Sequence, residues 1–305
     1  MPQTIFPITT VGLGQAAGLV DLSPYLPSDA TGAILLVYNN SAGVRAYMIR
    51  MNGSADNRVG DMSGSCQCWA MIGCDANQRI FISNPSAFPS KIGFGLVGYT
   101  KAGVTFNTNA PLISGGVGAV WTMQDLSALI PSNAIGVIIE IFGIAGNALG
   151  VRQNGSGDNR VSVTSNEHNT FSCIVGCDAL QRIEIYGGGW FFLTGYITEG
   201  ATFYLNAVNI TPVGVGAYEV LPPLPQYSVM GFVEVNSTGR YALLKNGGVA
   251  PGYRNAGLHP WAVVECDENW LMQGIRELIG GSFFLTGYGT YMPPTVQTDP
   301  ATEIT

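Results

Sequence analysis

The sequence predicts an all-β chain built as three tandem antiparallel β-sandwich (jelly-roll-like) domains. Two observations carry this reading. One stretch occurs twice and then a third time in eroded form, and no stretch holds a helical period. Gly 41 and Pro 17, scattered through 305 residues without a fixed period, add the many turns of an all-β chain. The repeated stretch is Asn52-Gly53-Ser54-Ala55-Asp56-Asn57-Arg58, which returns as Asn154-Gly155-Ser156-Gly157-Asp158-Asn159-Arg160. Downstream, Ile72-Gly73-Cys74-Asp75-Ala76 returns as Val175-Gly176-Cys177-Asp178-Ala179. The third copy runs from Asn246-Gly247-Gly248 to Glu265-Cys266-Asp267.

Each repeat opens on a glycine-rich entry strand: Val11-Gly12-Leu13-Gly14, Gly115-Gly116-Val117-Gly118, Val213-Gly214-Val215-Gly216. A Ser/Pro loop follows, then a buried strand at residues 32–38, 136–142 and 231–235. The first of these is apolar throughout, as in a central strand. Glu140 and Glu234 interrupt the other two and are expected to face outward on the period of two. The next strand enters the Asn-Gly turn, the strongest short-range hairpin signal because both residues accept positive φ. Variable loops come next, at residues 59–67 and 161–170. Two strands then flank the Cys-Asp turn, the first led by Trp69, Phe171 or Trp261. The closing strands carry Leu96-Val97-Gly98-Tyr99, Leu193-Thr194-Gly195-Tyr196 and Leu285-Thr286-Gly287-Tyr288. The best helix candidate, residues 274–279, is short, and the tail from residue 292 is rich in Pro and Thr.

The copies recur at near-equal spacing, which divides the chain into 1–110, 111–209 and a divergent 210–305. Joints this short hold neighbouring domains in a fixed relation. A triangle around a pseudo-threefold axis and a row both satisfy that constraint.

Composition excludes several classes. With 11% charged and 47% hydrophobic residues the chain is not disordered. A net charge of -7 without a basic stripe speaks against nucleic acid as a partner. No apolar run approaches the roughly 20 residues of a spanning helix, so no membrane is expected. Met1-Pro2-Gln3-Thr4 lacks the basic start and apolar block of a leader. Cys74, Cys177 and Cys266 occupy one register in three copies and cannot pair with one another; with Cys66, Cys68 and Cys173 they read as free thiols.

Chemistry is sparse. His168 and His259 sit in loops away from any nucleophile motif, and no glycine-rich phosphate loop with Lys occurs. Asp56 with Asp75, and Asp158 with Asp178, read as turn-forming carboxylates rather than a glycosidase pair. Asn52, Ser54 and Asp56 lack the further acidic ligands of a calcium loop. We therefore expect no enzyme, no catalytic residue, no metal and no cofactor. Three ion pairs, Arg58–Asp75, Arg160–Asp178 and Arg254–Asp267, are expected to tie the hairpin loop to the Cys-Asp turn. Residues open to binding are Asn52, Asp56, Arg58, Asn154, Asp158, Arg160 and Trp190.

The phrase Arg-x-Asn-Gly-Ser-x-Asp-Asn-Arg, followed by a Gly-Cys-Asp turn and a terminal Gly-Tyr strand, resembles repeat β domains of tailed-bacteriophage virion structural proteins. Arg50, Asn52, Gly53, Ser54, Gly73, Asp75, Gly98 and Tyr99 fit in the first copy. Arg152, Asn154, Gly155, Ser156, Gly176, Asp178, Gly195 and Tyr196 fit in the second. The third departs at Ser and Asp-Asn-Arg, and Cys stands where the family often has Val. The resemblance implies a non-enzymatic virion protein, assembled in the host cytoplasm into a tail, fibre or capsid-decoration position. Its partners would be other virion proteins and further copies of itself. The alternative is an adhesion module for a host-surface glycan or receptor.

Overall fold

The computed structural model describes residues 3–14, 17–84, 92–114, 118–143, 146–163, 169–236, 240–248, 254–255, 261–276 and 281–291. His168, His259 and the tail from residue 292 lie outside them, as do the side chains of Arg254 and of loop residues 162–169.

Every regular element among the described residues is a strand. The first repeat holds β1 (Ile5–Gly14), β2 (Gly18–Asp21), β3 (Gly32–Asn39), β4 (Arg45–Met51), β5 (Gly60–Met62), β6 (Gln67–Gly73), β7 (Arg79–Ser83) and β8 (Ile92–Thr100). These form two antiparallel sheets, β1-β8-β3-β6 and β2-β7-β4-β5. The second repeat holds β9 (Val104–Phe106), β10 (Leu112–Ser114), β11 (Thr122–Asp125), β12 (Gly136–Gly143), β13 (Ala148–Gln153), β14 (Ser162–Val163), β15 (Asn169–Gly176), β16 (Arg182–Gly187) and β17 (Gly189–Ile197). The third holds β18 (Ala201–Asn209), β19 (Glu219–Val220), β20 (Ser228–Asn236), β21 (Arg240–Lys245), β22 (Arg254–Asn255), β23 (Trp261–Glu265), β24 (Met272–Arg276) and β25 (Ser282–Thr290). Each again gives two sheets with the same weave. Strand β9 already pairs with β17, and β18 with β25, so the strand entering each later repeat begins upstream of residues 111 and 210.

The expected three tandem β-sandwich domains are corrected by this arrangement. Six small antiparallel sheets are set as in a six-bladed β-propeller, two blades to a repeat. The blades are not simple meanders, because the chain passes back and forth between the two blades of its repeat. The physical reason is a core that ignores the repeat boundaries. One hydrophobic cluster contains Ile5, Val104 and Ala201 from the three entry strands, and Ile34, Ile138 and Phe232 from the three central strands. Met71, Ile174 and Val263 also belong to it. In β3, Leu35 and Val37 face the other cluster, while Ile34 faces this shared one. A self-contained two-layer unit would leave that second face in water; here it meets neighbouring repeats. The helix expected at residues 274–279 is also corrected over its first half, since Met272–Arg276 is strand β24 paired with β21; residues 277–279 lie outside the described residues.

The three repeats form a triangle. Strands β6, β15 and β23 meet one another pairwise, and the Phe171 and Trp261 rings stack at 5.9 Å. The starts of the entry strands also converge. Lys101, Thr198 and Thr290 donate their backbone N–H to the carbonyls of Thr4, Gly103 and Gly200, at 2.9, 2.8 and 2.9 Å. A Cβ added at Gly103 would lie 2.4 Å from the Thr4 side chain, and one at Gly200 only 2.1 Å from it.

Candidate functional site at the joints between repeats

A turn forms at Asn-Gly, but only its glycine takes positive φ: Gly53, Gly155 and Gly247 lie at 85, 84 and 73°, and the Asn residues do not. Its Asn then reaches the Cys-Asp turn. Asn52 Nδ2 donates to Asp75 Oδ2 at 2.6 Å, Asn154 to Asp178 at 2.7 Å, and Asn246 to Asp267 at 2.8 Å. The other carboxylate oxygen accepts two backbone N–H groups in each copy, from residues 77 and 79, 180 and 182, or 269 and 271. Burial acts to raise the pKa of Asp75 and Asp178, but these hydrogen bonds, together with those from the Arg79 and Arg182 side chains, outweigh it and hold both at about 2.

This clasp replaces the Arg58–Asp75 and Arg160–Asp178 pairs expected from sequence; the expected Arg254–Asp267 pair rests on a side chain outside the described residues. Asp75 and Asp178 instead pair with Arg79 and Arg182, at 2.9 and 2.8 Å. Arg58 and Arg160 point elsewhere. Arg254 is out of register: it pairs across from Tyr241, where Gly60 and Ser162 pair across from Tyr47 and Leu149.

The rest of the motif builds the joint to the next repeat. Asn109, on the entry segment of the second repeat, accepts from Ser54 Oγ and Ala55 N–H at 3.1 and 2.8 Å. Asp56 Oδ2 accepts Ala110 N–H at 2.8 Å and also pairs with Arg58. Arg58 Nε donates to Glu140 Oε2 at 2.8 Å, and its guanidinium lies over the Phe192 ring at 4.9 Å. The second joint repeats this design. Asn206 accepts from Ser156 and Gly157 at 3.0 and 2.9 Å, and Asp158 accepts Ala207 N–H at 2.6 Å. Asp158 also pairs with Arg160, which reaches Glu234 at 2.7 Å.

Glu140 and Glu234, expected to face outward, are thus turned inward into the joints. Burial raises the pKa of Glu140 against the opposing pull of Arg58. Burial disfavours charge on Arg58 as well, but Glu140 and Asp56 together outweigh it and raise its pKa.

An aromatic plug completes each of these joints. The Phe106 ring sits where a Cβ on Gly32 would lie 2.3 Å away, and Phe106 also covers Gly73. Phe203 does the same over Gly136 and Gly176, at 2.4 and 2.6 Å.

The joint from the third repeat back to the first is built differently on both faces. Strand pairing places Pro7 in register with Phe106 and Phe203. It places Leu36 in register with Glu140 and Glu234. Met230 and Glu265 stand in register with the plug's two glycines. The joint holds an open cleft of about 500 Å³ between the third Cys-Asp turn and the first entry strand. The corresponding cleft of the second joint is about 310 Å³ and is lined by Phe203. Trp270 replaces the register partners Gln78 and Gln181, which donate to Ser28 and Ser132 carbonyls.

Trp190 is 46% exposed on β17, while its neighbour Phe191 is fully buried. All six cysteines are free and buried, and Cys74, Cys177 and Cys266 donate to carbonyls of Ala30, Ala134 and Ser228. Sequence reasoning missed Glu140, Glu234, Asn109 and Asn206. Their signal was an offset: Arg-bearing loops in copies one and two, Glu and Asn partners in copies two and three.

No protein-family model matches the chain, and no curated protein matches it. Among solved structures, a chain from the atomic structure of Sulfolobus turreted icosahedral virus is similar at a TM-score of 0.22 and 8% identity. That match covers 95% of this chain and 92% of that one, and a likeness this low carries no argument.

Proposed function

We propose that the chain is a non-enzymatic structural protein on the particle surface of a tailed bacteriophage, in a tail, fibre or capsid-decoration position. The carrying observation is a single chain that imitates a trimer and presents one apolar contact three times. Leu19, Met123 and Val220 occupy one register on edge strands β2, β11 and β19, and they are 53, 48 and 53% exposed. Apolar side chains recurring at equivalent places suit docking onto other virion proteins. The carboxylates and arginines of the repeated motif support the same reading, because they are spent on turns and joints.

Mass spectrometry and antibody labelling of gradient-purified particles test the location. Peptides of the chain and label on the particle surface are expected; absence of both would sink the proposal. Replacing Leu19, Met123 and Val220 together by Glu is expected to abolish incorporation while leaving the isolated chain folded. A second reading, an adhesion module, draws on the open cleft of the third joint.

A further inference from the structure

We infer that the cleft at the third joint binds an organic cation, an ammonium group carried on a small apolar body. The inference does not depend on where the protein resides.

Aromatic rings are concentrated there. Tyr227 and Trp270 meet at 68° with ring centroids 6.4 Å apart, forming a corner rather than a flat platform. Tyr291 joins them, its N–H donating to the Tyr227 carbonyl at 2.8 Å. On the first repeat Phe6 and Tyr99 stack at 4.9 Å and already hold the Lys101 ammonium, 5.2 and 6.0 Å from their ring centroids, so the rings left to an added cation are Tyr227, Trp270 and Tyr291. All five rings line the same cleft. Trp270, at φ 61°, keeps the positive φ of its register partners Gln78 and Gln181, 55 and 57°, so the repeated turn sets its backbone; Tyr227 is at φ 68°.

The charge of the wall selects the ligand. Glu265, Asp267 and Glu268 line the cleft with the ammonium of Lys245, which Glu265 already holds at 2.7 Å; the Lys101 ammonium beside the Phe6 ring is paired with Asp29 at 2.9 Å, so Asp267 and Glu268 carry the excess. Asp267 is fixed by Asn246, and Glu268 is exposed at the rim. A negative excess around perpendicular ring faces attracts a cation through both the ring quadrupoles and the carboxylates. A neutral sugar would want an open ring face and gain nothing from the excess charge.

The second joint is the internal control. Its cleft has Phe203 as its lining aromatic, and Gln181 stands in register with Trp270. The position therefore accepts Gln without loss of the fold, and Trp270→Gln is a conservative probe.

The test is titration of the full chain with choline chloride and tetramethylammonium chloride, against sodium chloride at matched ionic strength. Binding is followed by tryptophan fluorescence and by chemical shifts of the added cation. Saturable binding of both cations is expected. Trp270→Gln should weaken it about tenfold, and Glu268→Gln severalfold. Trp190→Gln, remote from the cleft, should leave it unchanged. Response no greater than that to sodium, or equal affinity in Trp270→Gln, would overturn the inference. So would saturation by methyl glucoside without response to choline, which would make the cleft a neutral-sugar site.

Discussion

Arg160 Nε lies 2.7 Å from Glu234 Oε2, and Glu234 is fully shielded from solvent. The pair joins two repeats, and its counterpart Arg58–Glu140 joins the preceding two at 2.8 Å. Removing one partner strands a buried charge. Arg160→Ala is expected to cost about 3–5 kcal/mol in urea denaturation. Combining Arg160→Met with Glu234→Leu is expected to recover most of that loss, since Leu36 fills the same register at the third joint. A double variant no more stable than the single one would show that the pair is not acting as a unit.

The glycine slots make a steric prediction. Gly136→Ala places a methyl 2.4 Å from the Phe203 ring and is expected to destabilise by about 1–3 kcal/mol. Phe203→Leu in the same chain should relieve part of it. Gly12→Ala meets nothing within 4 Å and should be nearly neutral, so thermal melts of the two alanine variants should separate clearly.

Acid stability should follow the Asn–Asp clasps. Asp75 and Asp178 titrate at about 2 in the fold, below the roughly 3.9 of an unfolded aspartate. A depressed folded pKa stabilises above the unfolded value, and that stability is lost as the pH falls through the folded one. Unfolding is expected between about pH 4 and pH 2. Asn52→Ala removes the strongest of the bonds that depress Asp75, and should move the acid midpoint upward in a circular-dichroism titration.

The thiols should be inert while the fold is intact. Burial pushes Cys68 up to about 12, and Cys74, Cys177 and Cys266 up to about 11. Since the thiolate is the reactive form, a disulfide reagent at pH 8 should label none of these four in native protein. All six cysteines should react once the chain is denatured.

Local features were legible in the sequence because their causes are local. Asn-Gly specifies its turn through the conformational freedom of the glycine, and the Cys-Asp turn is set by hydrogen bonds a few residues apart. The period of two gave the strands. What it could not give was the medium beyond the second face. Ile34, Ile138 and Phe232 read as one side of a central strand, whether that side meets water or another repeat. The partner of Arg58 was hidden for a related reason. Asp75 is the near carboxylate in sequence, but it is saturated by Asn52, Arg79 and backbone N–H groups before Arg58 could reach it. Glu140, inside an apolar run, was the visible anomaly, and its meaning lay in the next copy of the repeat. The erosion of the third loop goes with a change on the first repeat, where Leu36 stands in the register of Glu140 and Glu234.

The entry strands that converge at Thr4, Gly103 and Gly200 put three lobes on one continuous chain. Three separate identical subunits would be bound to carry three identical seams, each obliged to hold the ring shut. Covalent continuity lifts that obligation from one of them. The ring can then give one joint a cleft unlike its counterpart at the second joint, an asymmetry that no homotrimer could encode.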